Sequence, residues 1–205
     1  MFKNLIWDFD GTLFDTYPAI SRSLEGALKN HGINEDINEI TALCKITLQT
    51  AIDHYCEKYG LDPDEIFKGY GEFYQTISLK DIPPFEGLRD VLEFCKATGR
   101  KNYIITHRPL YMLMDHLSYY DLDKYFEFMI TSDDGYKRKP DPESFVALRE
   151  KFDLPVELTL AIGDRDLDIL AAKGAGFKTC LYQNPDRTIP ADYFVSNMEE
   201  LKALL

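Results

Sequence analysis

The sequence predicts an α/β protein, a doubly wound parallel sheet with an α-helical cap inserted after the first strand. Two observations predict this class. Residues 83–205 alternate between short apolar runs and amphipathic stretches, which is typical of parallel strands with helices on both faces of the sheet. Residues 17–79 show helical periodicity alone. We therefore expect an α/β core of residues 1–15 and 83–205 and a helical cap of residues 16–82.

The first strand and the cap come first along the chain. Leu5-Ile6-Trp7 is a short apolar run that stops at an acidic turn, as a buried parallel strand does. The cap shows three apolar stripes at helical spacing, with Gly32, Gly60 and Pro63 as helix stops and starts between them, so we expect about four helices. The stripes consist of Ile20, Leu24, Ala27 and Leu28, then Leu48, Ala51, Ile52 and Tyr55, then Phe67, Tyr70, Phe73, Tyr74 and Ile77.

The core elements follow the turn at Ile82-Pro83-Pro84, where strands and helices begin to alternate. The predicted strands are Asn102–Thr106, Phe128–Thr131, Leu158–Ile162, Lys178–Tyr182 and Tyr193–Val195. The predicted helices are Gly87–Ala97, Leu110–Ser118, Glu143–Phe152, Leu167–Gly174 and Glu199–Leu204.

Charge and cysteine content exclude several classes of protein. The 23 Lys and Arg against 35 Asp and Glu leave a net charge of −12, which argues against nucleic acid or an anionic membrane as the partner. The four cysteines lie far apart without zinc-type spacing, so we expect reduced thiols in a cytoplasmic protein. Neither a signal peptide nor a membrane-spanning run is recognisable. The sequence leaves the assembly open between a monomer and a homodimer.

Polar residues collect at the predicted carboxyl ends of the strands, where open parallel sheets bind their ligands. Asp8 and Asp10 follow the first strand, Thr106 ends the second, and Lys139 and Asp164 lie in the loops after later strands. Each residue alone is an ordinary choice for a turn, a helix cap or a solvated loop. The pair Asp8 and Asp10 is different, because neighbouring carboxylates repel each other unless a cation or substrate compensates.

Four motifs resemble those of the haloacid dehalogenase superfamily of phosphohydrolases, in the same order along the chain. Asp8-Phe9-Asp10-Gly11-Thr12-Leu13 resembles the D-x-D-G-T-L signature, and Thr106 resembles the Thr or Ser that ends the second core strand. Lys139-Pro140 resembles the third motif, and Gly163-Asp164-Arg165-Asp166-Leu167-Asp168 resembles the fourth, G-D-x-x-x-D. The helical insert is similar to the small cap of the phosphoglycolate-phosphatase-like branch.

The resemblance implies a phosphatase that hydrolyses a small phosphorylated metabolite through an aspartyl-phosphate. It assigns the nucleophile to Asp8, and to Asp10 the role of general acid and then general base. Thr106 and Lys139 would contact the phosphate, and Gly11 would let backbone amides approach it.

The resemblance also implies Mg²⁺ as the cofactor, since this ion suits an all-oxygen site with few protein ligands. Its expected ligands are the carboxylates of Asp8 and Asp164 and the backbone carbonyl of Asp10. Asp168 is not expected to bind the ion directly but to orient a metal-bound water or the motif lysine.

Other branches of the superfamily and other classes of protein fit the sequence less well. Asp10 disfavours the dehalogenase and phosphonatase branches, which lack an acid at that position. A phosphosugar mutase resembling β-phosphoglucomutase keeps the acid, but residues 16–82 show no recognisable groups for a sugar bisphosphate. A non-catalytic binding module of the same fold is disfavoured because the motif residues are retained. Receiver domains share an Asp cluster, a Thr and a Lys, yet they carry no insert after the first strand and no D-x-D-G-T.

Four further residues are candidates for reading the substrate. His107 and Arg108 follow the motif threonine in a loop that ends at Pro109, so that Arg108 either meets a second anionic group on the substrate or is solvated. Arg22 and Lys45 are the candidates from the cap. A cap favours a small substrate, and phosphoglycolate, a sugar phosphate, a nucleotide monophosphate and pyrophosphate all remain open.

Overall fold

The computed structural model describes residues 1–205 and divides them into two compact units. The first unit consists of Met1–Phe14 and Pro84–Leu205, and the second is Asp15–Pro83. These boundaries lie one residue from those expected for the core and the cap. No helix is both long and apolar enough to cross a bilayer, and all four cysteines are buried and unpaired.

The first unit contains a six-stranded sheet in which every neighbouring pair of strands is parallel. Its strands are β1 (Asn4–Trp7), β2 (Lys101–Ile105), β3 (Phe126–Ile130), β4 (Thr159–Gly163), β5 (Lys178–Tyr182) and β6 (Tyr193–Val195). The strand order is β3-β2-β1-β4-β5-β6. The strand order therefore reverses between β1 and β4, which is the topological switch point of a doubly wound sheet. The predicted doubly wound α/β class is confirmed.

Five helices cover the two faces of this sheet, α5 (Leu88–Ala97), α6 (Leu110–Tyr119), α7 (Glu143–Phe152), α8 (Asp166–Gly174) and α9 (Met198–Leu204). Alternate residues along a strand point to opposite faces. Trp7 and Ile162 pack on one face with residues of α5, α6 and α9. Ile6 and Ala161 pack on the other face with residues of α7 and α8. The central strands are thus buried on both sides, which explains why they read as uninterrupted apolar runs.

The second unit is a bundle of four helices, α1 (Tyr17–Asn30), α2 (Ile37–Ile46), α3 (Leu48–Tyr59) and α4 (Pro63–Thr76). Side chains of Asp36, Thr47 and Asp62 accept backbone hydrogen bonds at the starts of α2, α3 and α4. Gly60 ends α3 in the left-handed conformation. Gly26 leaves room for the ring of Phe73, since a Cβ at that glycine would lie 2.8 Å from it, and α1 can therefore pack closely on α4.

Candidate active site

The three central strands of the sheet each end in a polar side chain. Asp8 follows β1, Thr106 follows β2 and Asp164 follows β4, and all three are buried. The backbone ladder continues one residue past β1, because the amide of Asp8 donates to the carbonyl of Ile162 at 2.9 Å. The strand order therefore places the three residues side by side at the carboxyl edge, at the point where the strand order reverses.

Lys139 joins this edge from the loop after β3. Its Nζ donates to Asp8 Oδ1 at 2.6 Å and to Asp168 Oδ1 at 2.7 Å. The three side chains are almost fully buried, at 2%, 3% and 4% exposure for Lys139, Asp8 and Asp168. In such surroundings the ammonium charge needs a partner, and removing either the lysine or its carboxylates would leave costly unpaired charge.

Burial and charge shift the pKa values of the two carboxylates that share Lys139 in opposite directions. Burial, followed by the charge of Asp168, raises the pKa of Asp8. Burial also acts to raise the pKa of Asp168, but Lys139 and Arg165 outweigh it and the pKa is lowered. Burial opposes the charge on Lys139, but Asp168 and Asp8 outweigh it and raise its pKa. The site thus holds more negative charge than its lysine neutralises, a condition that favours a bound cation.

The carboxylates of Asp8, Asp164 and Asp168 offer a possible metal site, with one oxygen from each lying within 4.8 Å of the others. Asp8 Oδ2 is buried and has no hydrogen-bond partner. A buried carboxylate oxygen without a donor is costly unless something else compensates it. Oxygen ligands of this kind are those that Mg²⁺ prefers, so the residues present fit this ion. The expected third ligand was a backbone carbonyl, whereas the cluster contains the side chain of Asp168.

A tight turn after β1 carries Asp10. Gly11 has a φ of +74°, which the absence of a side chain permits, and its amide donates to the carbonyl of Phe14 at 2.9 Å. The amide of Leu13 donates to the carbonyl of Phe9 at 3.0 Å. The chain folds back on itself within these few residues, and the carboxylate of Asp10 remains only partly exposed.

Arg108 contacts Asp10 with two of its nitrogens. Nε lies 2.8 Å from Asp10 Oδ1 and 3.0 Å from Oδ2, and Nη2 lies 2.7 Å from Oδ1. The side chains of Arg108 and Asp10 are 8% and 18% exposed, so water screens the pair little. The predicted contact between Arg108 and a second anionic group of the substrate stays a prediction, and the structure gives this guanidinium a partner within the motif instead.

His107 connects the loop after β2 with the loop that carries Lys139. Its Nε2 accepts a hydrogen bond from the backbone amide of Lys139 at 3.0 Å, and Arg138 Nη2 lies 3.1 Å from its Nδ1. Burial, together with the charges of Lys139 and Arg138, lowers the pKa of His107 to about 3. The ring is therefore neutral near pH 7 and able to accept this hydrogen bond.

Arg22 and Lys45 lie in the helical unit, where they line one cavity of about 260 Å³. The hydroxyls of Ser21 and Thr41 also line it, and Thr41 Oγ1 lies 2.9 Å from Ser21 Oγ. Asp15 adds a carboxylate to the same cavity. The two cations are suitable partners for an anion. The hydroxyls already donate within the unit, Ser21 Oγ to the carbonyl of Tyr17 and Thr41 Oγ1 to that of Ile37. The role of Arg22 and Lys45 in reading the substrate stays a prediction.

Arg165 belongs to this site, although the motifs of the sequence do not single it out. Its Nε lies 3.8 Å from Asp164 Oδ1 and 3.7 Å from Asp168 Oδ2, so a second cation adjoins the acidic cluster. The signal was visible in Gly163-Asp164-Arg165-Asp166-Leu167-Asp168, where one basic residue interrupts an acidic run. A basic residue in such a run is placed to balance its charge.

Known proteins resemble this chain along nearly its whole length. The family model described as haloacid dehalogenase-like hydrolase matches residues 5–182. A protein provisionally named pyrophosphatase PpaX, from Caldanaerobacter subterraneus subsp. tengcongensis, is 26% identical over 98% of this chain and 93% of its own length. A phosphoglycolate phosphatase from Aquifex aeolicus is 27% identical over 98% of this chain and 95% of its own length. A solved Clostridium difficile structure, provisionally titled a phosphatase, shares the fold with a TM-score of 0.86 at 23% identity, covering 100% of this chain and 98% of that one.

Proposed function

Because the chain belongs to the haloacid dehalogenase-like hydrolases, we propose that it hydrolyses a small phosphorylated metabolite through an aspartyl-phosphate formed on Asp8. The chain is a phosphatase of this family. One observation carries the proposed nucleophile. Lys139 holds Asp8 Oδ1, while the buried Oδ2 has no hydrogen-bond donor. A carboxylate that is oriented by one donor and otherwise unengaged can use one oxygen to attack phosphorus and the other to hold a cation.

The proposed reaction has two displacement steps. Asp8 attacks phosphorus, so that an oxygen–phosphorus bond forms while the bond from phosphorus to the leaving oxygen breaks. Asp10 gives a proton to that oxygen and later takes a proton from the attacking water. The water oxygen bonds to phosphorus, the bond to Asp8 breaks, and inorganic phosphate leaves. Both carboxyl groups thereby return to their starting states.

Other residues of the edge are suited to hold the phosphoryl group. Thr106 Oγ1 accepts a hydrogen bond from the amide of Arg108 at 3.2 Å, an arrangement in which the hydroxyl can donate its own hydrogen to a phosphoryl oxygen. Lys139 supplies a buried positive charge next to the nucleophile. Gly11 has no side chain, so a phosphate can come close to the backbone amides there.

We propose Mg²⁺ as the cofactor, held by the carboxylates of Asp8 and Asp164 and by the backbone carbonyl of Asp10. When bound, it would neutralise the charge that carboxylates and phosphate bring together. Asp168 accepts from Lys139 and from the amide of Arg165, so its proposed role is to position these groups.

The proposed substrate is a small molecule. The two relatives described above are named for small compounds, pyrophosphate and phosphoglycolate. A sugar phosphate and a nucleotide monophosphate belong to the same class by size and charge. The helical unit contributes Arg22 and Lys45 as proposed contacts for a second anionic group.

The nucleophile is tested by hydrolysis of p-nitrophenyl phosphate by the wild type and by Asp8→Asn. The amide nearly matches the carboxylate in shape but is a poor nucleophile, so turnover should be lost while the fold is kept. The exposed Asp166 offers a matched control, because Asp166→Asn changes the same charge in the fourth motif outside the buried cluster. Asp166→Asn should keep most of its activity. Full activity in Asp8→Asn would overturn the assignment.

The metal is tested by binding as well as by activity. Mg²⁺ should raise the melting temperature of the wild type, because a ligand that binds the folded state alone stabilises it by about 2.7 kcal/mol at a concentration of 100 Kd. Asp164→Asn removes one proposed ligand charge, so the shift should shrink. EDTA should abolish hydrolysis. An equal shift in both proteins would contradict the proposed metal ligand.

A further inference from the structure

Asp10 is held by an unusually complete contact for a residue that must move protons. Nε and Nη2 of Arg108 together reach both of its carboxylate oxygens. A carboxylate can rotate about its last side-chain bond, and a single point charge leaves that rotation open. A planar guanidinium that touches both oxygens sets the plane of the carboxylate as well as its distance.

Arg108 is itself fixed from several directions. Its amide donates to Thr106 Oγ1 at 3.2 Å, and its carbonyl accepts from the amide of Ser132 at 3.0 Å. Its guanidinium carbon lies 5.4 Å from the centre of the Phe9 ring, and Phe9 stands between the two motif carboxylates in the chain. The side chain is therefore built into the site, unlike a solvated loop arginine.

We propose that Arg108 is a positioning residue, which orients the carboxylate of Asp10 for the step in which it takes a proton from water. A guanidinium on both oxygens favours the ionised form that this step needs. This inference rests on the proposed roles of Asp8 and Asp10. The other interpretation is that Arg108 binds a second anionic group of the substrate. The contact disfavours it, because the Nε and Nη2 edge that would grip such a group already lies on Asp10.

The two steps of the reaction separate these interpretations. The nitrophenolate of p-nitrophenyl phosphate leaves without needing a proton, so formation of the aspartyl-phosphate depends little on Asp10. Hydrolysis of that intermediate needs Asp10 to take a proton from water. Rapid mixing measures the first step as a burst of nitrophenolate, and the steady-state rate then reports the second step.

Arg108→Met should therefore keep a burst rate within about threefold of the wild type, while the steady-state rate falls by about tenfold to hundredfold. Arg108→Lys keeps the charge without the planar fork, so its steady-state rate should also fall while its fold is retained. In an Asp10→Asn background, Arg108→Met should cause no further loss, because both residues act through the same carboxylate. The exposed Arg187 gives a control, and Arg187→Met should change neither step.

Each other outcome has a definite meaning. If Arg108→Met slows the burst and the steady state equally, or raises KM alone, Arg108 does not act through Asp10 and the inference is overturned. Full rescue by Arg108→Lys would also overturn it, because charge alone would suffice. Failure of the proposed function looks different, since the wild type would then show no aspartyl-phosphate and Asp8→Asn would retain full activity.

Discussion

Lys139 Nζ lies 2.6 Å from Asp8 Oδ1, although 131 residues separate the two in the chain. The same ammonium group lies 2.7 Å from Asp168 Oδ1. One buried cation thus connects the loop after β3 to the end of β1 and the first turn of α8. This ammonium group contributes to stability because it compensates buried carboxylates, and to the proposed chemistry because it would face the phosphate.

Lys139→Met should damage both stability and turnover. Removing one partner of a buried ion pair leaves uncompensated charge, a loss of about 3–5 kcal/mol in the free energy of unfolding. The rate of p-nitrophenyl phosphate hydrolysis should fall by about a hundredfold or more, as when a preorganised charge is removed. Urea unfolding and steady-state kinetics check the two effects.

Lys29→Met is the matched control for this substitution. Lys29 pairs with Glu25 at 2.7 Å on the surface of α1, where the lysine side chain is 50% exposed. Such surface pairs contribute about 0.5 kcal/mol or less. If both variants lost the same stability, the buried pair would stabilise the fold no more than a surface pair does.

His107→Ala should lower activity through Lys139. The substitution removes the acceptor for the backbone amide of Lys139, so the loop that aims the ammonium group loses an anchor. We expect a fall in kcat of about tenfold, of the size seen when a supporting residue is lost. The measurement is steady-state hydrolysis of p-nitrophenyl phosphate.

Two amide variants test this role more directly. In His107→Gln the glutamine side-chain oxygen can reach the position of Nε2, so this variant should recover most of the activity that His107→Ala loses. His107→Asn places its oxygen near the position of Nδ1, too short to reach the amide of Lys139, and should behave like His107→Ala. Equal activity in the two amide variants would contradict the positioning role.

The strands could be predicted where burial alone decides the pattern. The predicted bounds of β5 and β6 agree with the structure, since both follow from short apolar runs. The predicted start of β3 at Phe128 was two residues late, because the exposed Glu127 interrupts its apolar run. β3 is an edge strand, and an edge strand tolerates such a charge because one side of it is not covered by another strand. The periodicity of the sequence does not show which strand lies at the edge.

The site could be predicted only in part, for a similar reason. Asp8, Thr106 and Asp164 each follow a parallel strand, so topology alone brings them to one edge. The pairing of Arg108 with Asp10 depends on loop conformation and side-chain rotamers, which sequence spacing does not determine. The sequence therefore located Arg108 in the correct loop without identifying its partner.

Gly163→Ala should disturb the site from within the sheet. A Cβ at Gly163 would lie 2.3 Å from Asp168 Cβ and 2.8 Å from its Cγ, so Asp168 would have to move away. We expect a loss of about 1–3 kcal/mol from overpacking, together with a lower rate of hydrolysis because Lys139 loses a partner. Gly71→Ala in α4 is the control. Nothing lies within 4 Å of its added Cβ, and a helical alanine should stabilise the chain by about 0.5–1 kcal/mol.

Asp192 lies outside the site and makes the stability of the fold depend on pH. Its carboxylate accepts from Thr179 Oγ1 at 2.8 Å and from the Thr179 amide at 3.0 Å, and Lys178 Nζ lies 3.2 Å away. Burial acts to raise its pKa, but these hydrogen bonds outweigh it and lower the pKa from 3.8 to about 2. A carboxyl group with a lowered pKa in the folded state adds stability above its unfolded pKa and loses that contribution as the pH falls through the folded one.

Asp192→Asn should therefore reduce the free energy of unfolding by about 1–2 kcal/mol at pH 7. The gap between the variant and the wild type should persist down to about pH 4 and then narrow toward pH 2, because the wild-type carboxylate takes up its proton in that range. Urea unfolding at pH 7, 5 and 3 measures the gap. Asp53→Asn, at an exposed carboxylate that accepts from Gln49, should cost under about 0.5 kcal/mol throughout. A gap for Asp192→Asn as wide at pH 3 as at pH 7 would show that its hydrogen bonds stabilise the fold without depending on the charge.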